Sequence, residues 1–275
     1  MKKTTSRSQK GYIAAIFAFL YLPILVLILF SFNESKSRNV FTGFTLDWYR
    51  RLFENDMIIK AFGVTLLVAA ISSILATVIG TAASVGLNAM KKPVRVAIMN
   101  VTYVPVINPE IVTGVSMLLL FVVMRTALSA LGITFDMGLG TLVLAHITFN
   151  LPYVILSVSP KLRQMDKNLY EAALDLGCSP VQAFFKVVIP EIMPGITTGF
   201  LMALTYSIDD FVISYFTSGT AQTLPIAVYS MTRRKVSPEI NALSAILFVV
   251  VLSILLIMNY ADIKSEKALE KEARA

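Results

Sequence analysis

Between Tyr170 and Pro194 the chain reads YEAALDLGCSPVQAFFKVVIPEIMP, and this stretch decides how the rest is read. Glu171-Ala172-Ala173-Leu174-Asp175-Leu176 has the composition of a short helix, and Gly177 supplies the left-handed residue that ends one. Ser179-Pro180-Val181-Gln182 then opens a second helix. Ser179 is its N-cap, Pro180 its first residue, and Gln182 completes a capping box. Pro190 and Pro194 mark the return into an apolar run. Such an elbow between two apolar spans has a use when something outside the membrane grips it. Ala172 and Ala173 keep the first helix thin enough to enter a cleft on another protein. Glu171 and Asp175, four residues apart, present acids to a basic rim. An ordinary helical hairpin fits the same residues.

Outward from the elbow the chain is strongly apolar. Of its 275 residues 56% are hydrophobic and 15% charged, with a mean hydropathy of +0.73, which excludes a soluble globule. Six runs are long enough to cross a hydrocarbon layer of ~30 Å. They lie near Tyr12–Phe32, Ala61–Leu87, Val96–Met124, Gly138–Ser157, Ile192–Phe211 and Ile240–Tyr260. The expectation is an all-α polytopic membrane protein, one transmembrane domain over 1–275. An external loop would occupy 33–60, and a cytoplasmic loop holding the elbow 159–191. The first run follows Lys2, Lys3, Arg7 and Lys10 but contains Pro23 and ends in Ser31-Phe32-Asn33 without a small-x-small site. It reads as an uncleaved anchor rather than a signal peptide. With the N-terminus inside, segments 1–11, 88–95, 158–191 and 261–275 carry 15 of the 24 Lys and Arg residues. That bias places both termini in the cytoplasm. The net charge of +7 is dispersed over the loops, which suits anionic lipid better than nucleic acid. The single Cys178 offers neither a disulfide nor a metal set.

Within the 33–60 loop, Leu46, Tyr49, Leu52 and Phe53 recur at helical spacing. They predict a short amphipathic helix at the membrane surface with an aromatic anchor, or a contact for an external partner. The third run is interrupted by Pro105-Val106-Ile107-Asn108-Pro109-Glu110, with Asn108 placed to cap a new helix. At ~1.5 Å per residue from Arg95, Asn108 lies roughly 20 Å in, past the midplane. Non-helical backbone at that depth is tolerable only against protein or water. In the fourth run His146 and Asn150 share a face. His146 is expected to be hydrogen-bonded between helices rather than metal-bound.

Glu110, Asp209 and Asp210 fall within or at the ends of apolar runs, where a charge is costly enough to mark a functional candidate. Together with Asn150 and aromatic faces such as Tyr206, Tyr103 or Phe211, they could line one cavity between the midplane and the exterior. Structural roles stay open. Glu110 could stabilise a helix N-terminus, and the two aspartates could pair with basic residues of a neighbouring subunit.

Glu171, Ala172, Ala173 and Gly177, with the apolar stretch to Val188-Ile189-Pro190, resemble the Glu-Ala-Ala loop of ATP-binding-cassette importer permeases. Tyr21-Leu22-Pro23-Ile24, Trp48-Tyr49, Pro109-Glu110-Ile111-Val112, His146 to Pro152, Ser207 to Val212 and Val236 to Ala242 extend the resemblance over most of the chain. They point to the spermidine/putrescine branch, second permease type, among binding-protein-dependent inner membrane components. The resemblance implies a type I importer permease fold in a bacterial inner membrane. Glu171, Ala172, Ala173, Asp175 and Gly177 would form the coupling helix that enters a groove on an ATPase. It further implies two ATPase subunits, a second permease and an extracytoplasmic substrate-binding protein. This chain would bind no cofactor and hold no catalytic residue, with ATP and Mg on the partner ATPase. The sequence indeed lacks a Gly-x-x-x-x-Gly-Lys-[Ser/Thr] loop. Other readings are a permease for another cationic or metal-complex substrate, a secondary carrier relaying protons through the acids and His146, and a scaffold without flux.

Overall fold

A computed structural model describes residues 7–35, 40–234, 238–253 and 256. Regular structure among them is helical, with one isolated bridge between Asn33 and Phe44. The helices are α1 (Arg7–Phe30), α2 (Asp47–Glu54), α3 (Asp56–Ala89), α4 (Lys92–Ile107), α5 (Glu110–Ala130), α6 (Leu139–Gln164), α7 (Lys167–Asp175), α8 (Pro180–Ala183), α9 (Ile189–Asp209), α10 (Val212–Thr217), α11 (Leu224–Arg234) and α12 (Pro238–Ser253). Among the described residues five segments are long and apolar enough to cross a membrane: Lys10–Phe30, Asp56–Ala89, Glu110–Ala130, Leu139–Gln164 and Pro180–Asp209. The expected sixth run corresponds to α12 up to Ser253; most of the remainder, to Tyr260, lies outside the described residues. The chain divides into two compact units, Met1–Ile58 with Val228–Ala275, and Ile59–Ala227.

In the first unit the loop after α1 folds around one tryptophan. Trp48 and Leu52, one turn apart on α2, are buried, and Trp48 Nε1 donates to the Asn33 carbonyl at 2.7 Å. Asn33 in turn holds the loop closed. Its amide donates to the Val40 carbonyl at 2.8 Å and its Oδ1 accepts from Thr42 N at 2.9 Å. Of the apolar residues expected on this helix, Leu52 packs inward, while Leu46 and Phe53 are exposed. A buried indole needs an acceptor for its N–H, and the Asn33 carbonyl provides it. The aromatic anchor is thus internal to the loop.

The second unit is organised around α6. On α9, Gly195, Gly199, Ala203 and Ser207 recur at every fourth residue and all are buried. A Cβ at Gly199 would stand 3.1 Å from Val154 Cα, and one at Gly195 would stand 2.9 Å from the Ser157 carbonyl. Without side chains there, the backbones of α6 and α9 approach closely. That is how helices associate where lipid removes the hydrophobic drive between them. Ala76 of α3, Val154, Val158 and Leu162 of α6, and Ile192 and Ala203 of α9 share one core. Met117 and Phe121 of α5, Ala145 and Phe149 of α6, and Ile213 of α10 form another.

The break in the third run is present, and its position along α6 gives its depth. Arg95 and Met99 of α4 flank the α6 end at Ser159 and Arg163, whereas α5 flanks Ala145 and Phe149. The junction between α4 and α5 is therefore level with the middle of α6. Asn108 does not cap α5 as expected. Asn108 (ψ 143°) and Pro109 (ψ 134°) are both extended, and Pro109 takes the N-cap position with no side-chain hydrogen bond. The proline ring keeps Asn108 extended, and because Pro109 is extended as well the cap falls on Pro109. The α5 helix also runs past Met124 to Ala130.

Candidate functional site: an elbow and a membrane-embedded acid cluster

The elbow forms from local hydrogen bonds. The first helix starts earlier than expected, because Asp166 caps it by accepting from Asn168 N at 3.0 Å. It ends at Gly177 with φ +86°, where Gly177 N donates to the Leu174 carbonyl at 2.9 Å and Cys178 N to the Ala173 carbonyl at 3.1 Å. This is the paired 5→2 and 6→1 closure of a Schellman motif, and it requires a residue comfortable in the left-handed region. The capping box follows as read. Ser179 Oγ accepts from Gln182 N at 3.3 Å, and Gln182 Oε1 accepts from Ser179 N at 3.0 Å.

Two details of the elbow differ from the sequence reading. Ala173 is buried, so it packs inward, while Glu171, Ala172, Asp175 and Gly177 are exposed. Only one of the two alanines is open to a partner; the other lets α7 sit close on its own chain. Tyr170 and Phe184 pack against the same core beneath it. The second difference concerns Pro190 and Pro194, which do not interrupt the chain. The segment from Pro180 is helical through to Asp209, with one π turn at Phe184–Val188. Ile189 N bonds to the Phe184 carbonyl across the widened turn. A π turn is how a helix accommodates a proline ring that would strike the carbonyl four residues back.

At the far end of that same helix lies the acid cluster. Asp209 is exposed and Glu110, the first residue of α5, is exposed. Glu110 lies within electrostatic reach of both Asp209 and Tyr153. Half-buried Tyr153 and Tyr206 stand with ring centroids 4.5 Å apart, backed by Phe149 at 5.4 Å from Tyr153 and 6.1 Å from Tyr206. A groove lined by Pro105, Asn108, Thr113, Ser116 and Met117 runs along the adjoining break. Two carboxylates from different helices near a tilted tyrosine pair can hold ammonium groups by charge and by ring faces together.

Asn150 and Asp210, expected with them, face inward. Asn150 is fully buried and donates to Ser207 Oγ at 2.7 Å; Ser207 Oγ is 3.1 Å from Ser72 Oγ. Asp210 is buried, and its oxygens accept from Ile213 N at 3.2 Å and Ser214 N at 2.7 Å. His146 Nε2 lies 3.0 Å from Ser214 Oγ and 3.5 Å from Asp210 Oδ2, which matches the interhelical role read for it. No group of three or more His, Cys, Asp and Glu able to hold a metal occurs among the described residues. Tyr153 was missed. A tyrosine in mid-span, away from the interfacial belts that tyrosines favour, was the available signal.

The chain matches a family model described as binding-protein-dependent transport system inner membrane component over residues 76–264. It is 41% identical over 235 residues to the putrescine transport system permease protein PotI of Escherichia coli strain K12, covering 84% of this chain and 82% of that protein. It is 38% identical over 240 residues to the spermidine/putrescine transport system permease protein PotC of the same strain, covering 87% and 88%. Among solved structures it is similar in fold to a chain of a bacterial ABC transporter that imports the acidic polysaccharide alginate, with a TM-score of 0.71, 19% identity and 91% of each chain covered.

Proposed function

Because the chain belongs to the binding-protein-dependent transport system inner membrane component family, we propose that it passes polyamines through the membrane as one permease of an ATP-driven importer. It is a multi-pass transport subunit and not an enzyme. Its proposed companions are a second permease, two ATPase subunits that hold ATP and Mg, and an extracytoplasmic binding protein. Its termini and elbow would then lie in the cytoplasm.

The observation that carries the polyamine reading is that Glu110 lies within electrostatic reach of both Asp209 and Tyr153, with Tyr206 against Tyr153. A linear polyamine is a chain of ammonium groups joined by methylenes. Separated carboxylates take its charges, and aromatic faces take both its charges and its stems. Glu171, Ala172, Asp175 and Gly177 present the exposed surface on which an ATPase would close.

Coupling follows from continuity. One helical segment runs from Pro180 in the elbow to Asp209 in the cluster, interrupted only by the π turn. At ~1.5 Å per residue it spans roughly 45 Å, the whole membrane and its margin. A push on the elbow tilts that rod and moves Asp209 relative to Glu110 on α5. The carboxylates then hold the polycation in one arrangement and release it in the other.

Uptake of radiolabelled putrescine and spermidine by the reconstituted importer tests this. Glu110→Gln and Asp209→Asn should each lower the uptake rate about tenfold or more, as the loss of a charged contact does, with the complex still assembling. Unchanged uptake would remove both acids from the pathway.

A further inference from the structure

Far from the acid cluster, the end of α6 carries a second polar feature that polyamine transport does not use. Where α3 ends, α4 begins and α6 ends, a crevice is lined by Ser84, Asn88, Arg95, Ser159 and Arg163. The guanidinium groups of Arg95 and Arg163 make no ion pair or hydrogen bond among the described residues. Ser159 is 8% exposed, and its hydroxyl is buried without a partner among them. The contrast with its neighbours is informative. Ser84 Oγ donates to the Gly80 carbonyl at 2.8 Å and Ser157 Oγ to the Tyr153 carbonyl at 2.8 Å, the usual way a helix absorbs a serine. Ser159 lines the crevice with a buried hydroxyl that its own helix does not take up.

The charged residues that line the crevice, Arg95 and Arg163, are both cations, and the first acid after them along the chain is Asp166 at the α7 cap. Lys91, Lys92, Arg95, Lys161 and Arg163 lie in the segments that form it, and neither 57–109 nor 137–165 contains an acid. Those cations begin where the apolar runs of α3 and α6 stop, which is the level of lipid headgroups. Two unpaired guanidinium groups, an asparagine amide and a free hydroxyl are all donors. The group they suit is a phosphate ester anion, which Arg binds in a forked geometry.

We propose that this crevice is a binding site for the phosphate of an anionic phospholipid, held by Arg95 and Arg163 with Ser159 donating beneath. The site is independent of the polyamine reading. It borders the elbow, since Arg163 precedes the α7 cap Asp166 by three residues. An occupied site would brace the α6 end from which the elbow springs.

The test equilibrates the purified full chain in detergent with equal amounts of phosphatidylglycerol and phosphatidylcholine and reads retained lipid by native mass spectrometry. The wild type should keep phosphatidylglycerol preferentially. Arg95→Gln with Arg163→Gln should lower that retention roughly 25-fold, from two headgroup-level cations. Arg50→Gln with Arg51→Gln, an equal charge change in the other unit, should leave it intact. Should the double variant not fold, Ser159→Ala alone serves, with a few-fold loss expected from one hydrogen bond. Equal retention by wild type and the crevice variants, or equal loss in the Arg50/Arg51 control, overturns the site. A second arm measures modification of Arg95 and Arg163 by phenylglyoxal. Protection by phosphatidylglycerol vesicles supports the lipid. Protection by inorganic phosphate alone overturns the lipid and assigns the anion to solution.

Discussion

The elbow and the acid cluster lie at opposite ends of one helical rod, and they are built in opposite ways. In the elbow every stabilising hydrogen bond closes within five residues: Asp166 to Asn168, Gly177 to Leu174, Cys178 to Ala173, Ser179 to Gln182. The cluster gathers Glu110, Tyr153 and Asp209 from three helices far apart in the chain. A locally closed unit keeps its shape when it is moved as a whole. An assembly of three helices keeps its shape only while their register holds. Displacement of the rod should therefore leave the elbow intact and deform the cluster, as a lever and its load require.

The largest effect should come from the load. Glu110→Gln combined with Asp209→Asn should reduce polyamine uptake on the order of 100-fold, taking each charged contact at about 1.5–3 kcal/mol. ATPase co-purification should stay at the wild-type level, since the elbow is untouched. Loss of co-purification would show that the two regions are not separable. Next comes the lever. Gly177→Val places a β-branched residue at φ +86°, which costs about 1–2 kcal/mol in the left-handed region. ATPase co-purification and polyamine-stimulated ATP hydrolysis should fall roughly tenfold, by the same free energy read as an equilibrium. Wild-type coupling in Gly177→Val would mean that the elbow's shape does not matter to the ATPase.

The same contrast explains what could be read from the residues alone. The Gly177 stop and the Ser179–Gln182 box were legible because each depends on residues next to one another. The break at Pro109 was legible for the same reason, although the cap fell on Pro109, itself extended, rather than on Asn108. Spans were legible from apolar length, while their ends were not. The α6 helix continues seven residues past Ser157 because Lys161 and Arg163 continue a helix as well as leucines do. The cluster was legible in its residue types and not in its pairings. Asn150 and Asp210 satisfied every compositional criterion for a pathway residue. Which way they face depends on Ser72, Ser207, His146 and Ser214, supplied by other helices or by the next turn.

Asp209 and Asp210 reduce that point to adjacent residues with the same side chain. Asp209 is exposed, within electrostatic reach of Glu110; Asp210 is buried with His146 and the first amides of α10. Replacing each by asparagine removes one charge and almost no volume. In Asp209→Asn the missing charge is one proposed to line the pathway, so uptake should fall while the melting temperature holds. In Asp210→Asn one of the two carboxylate oxygens that accept from Ile213 N and Ser214 N becomes a donor facing an amide. Leaving a buried group so unsatisfied costs about 1–3 kcal/mol. The melting temperature of the purified chain should fall by several degrees, while the apparent KM for polyamine changes less than about twofold, because an exposed ligand contact is not lost. A KM shift in Asp210→Asn as large as that in Asp209→Asn would place both aspartates on the pathway and erase the distinction that their burial draws.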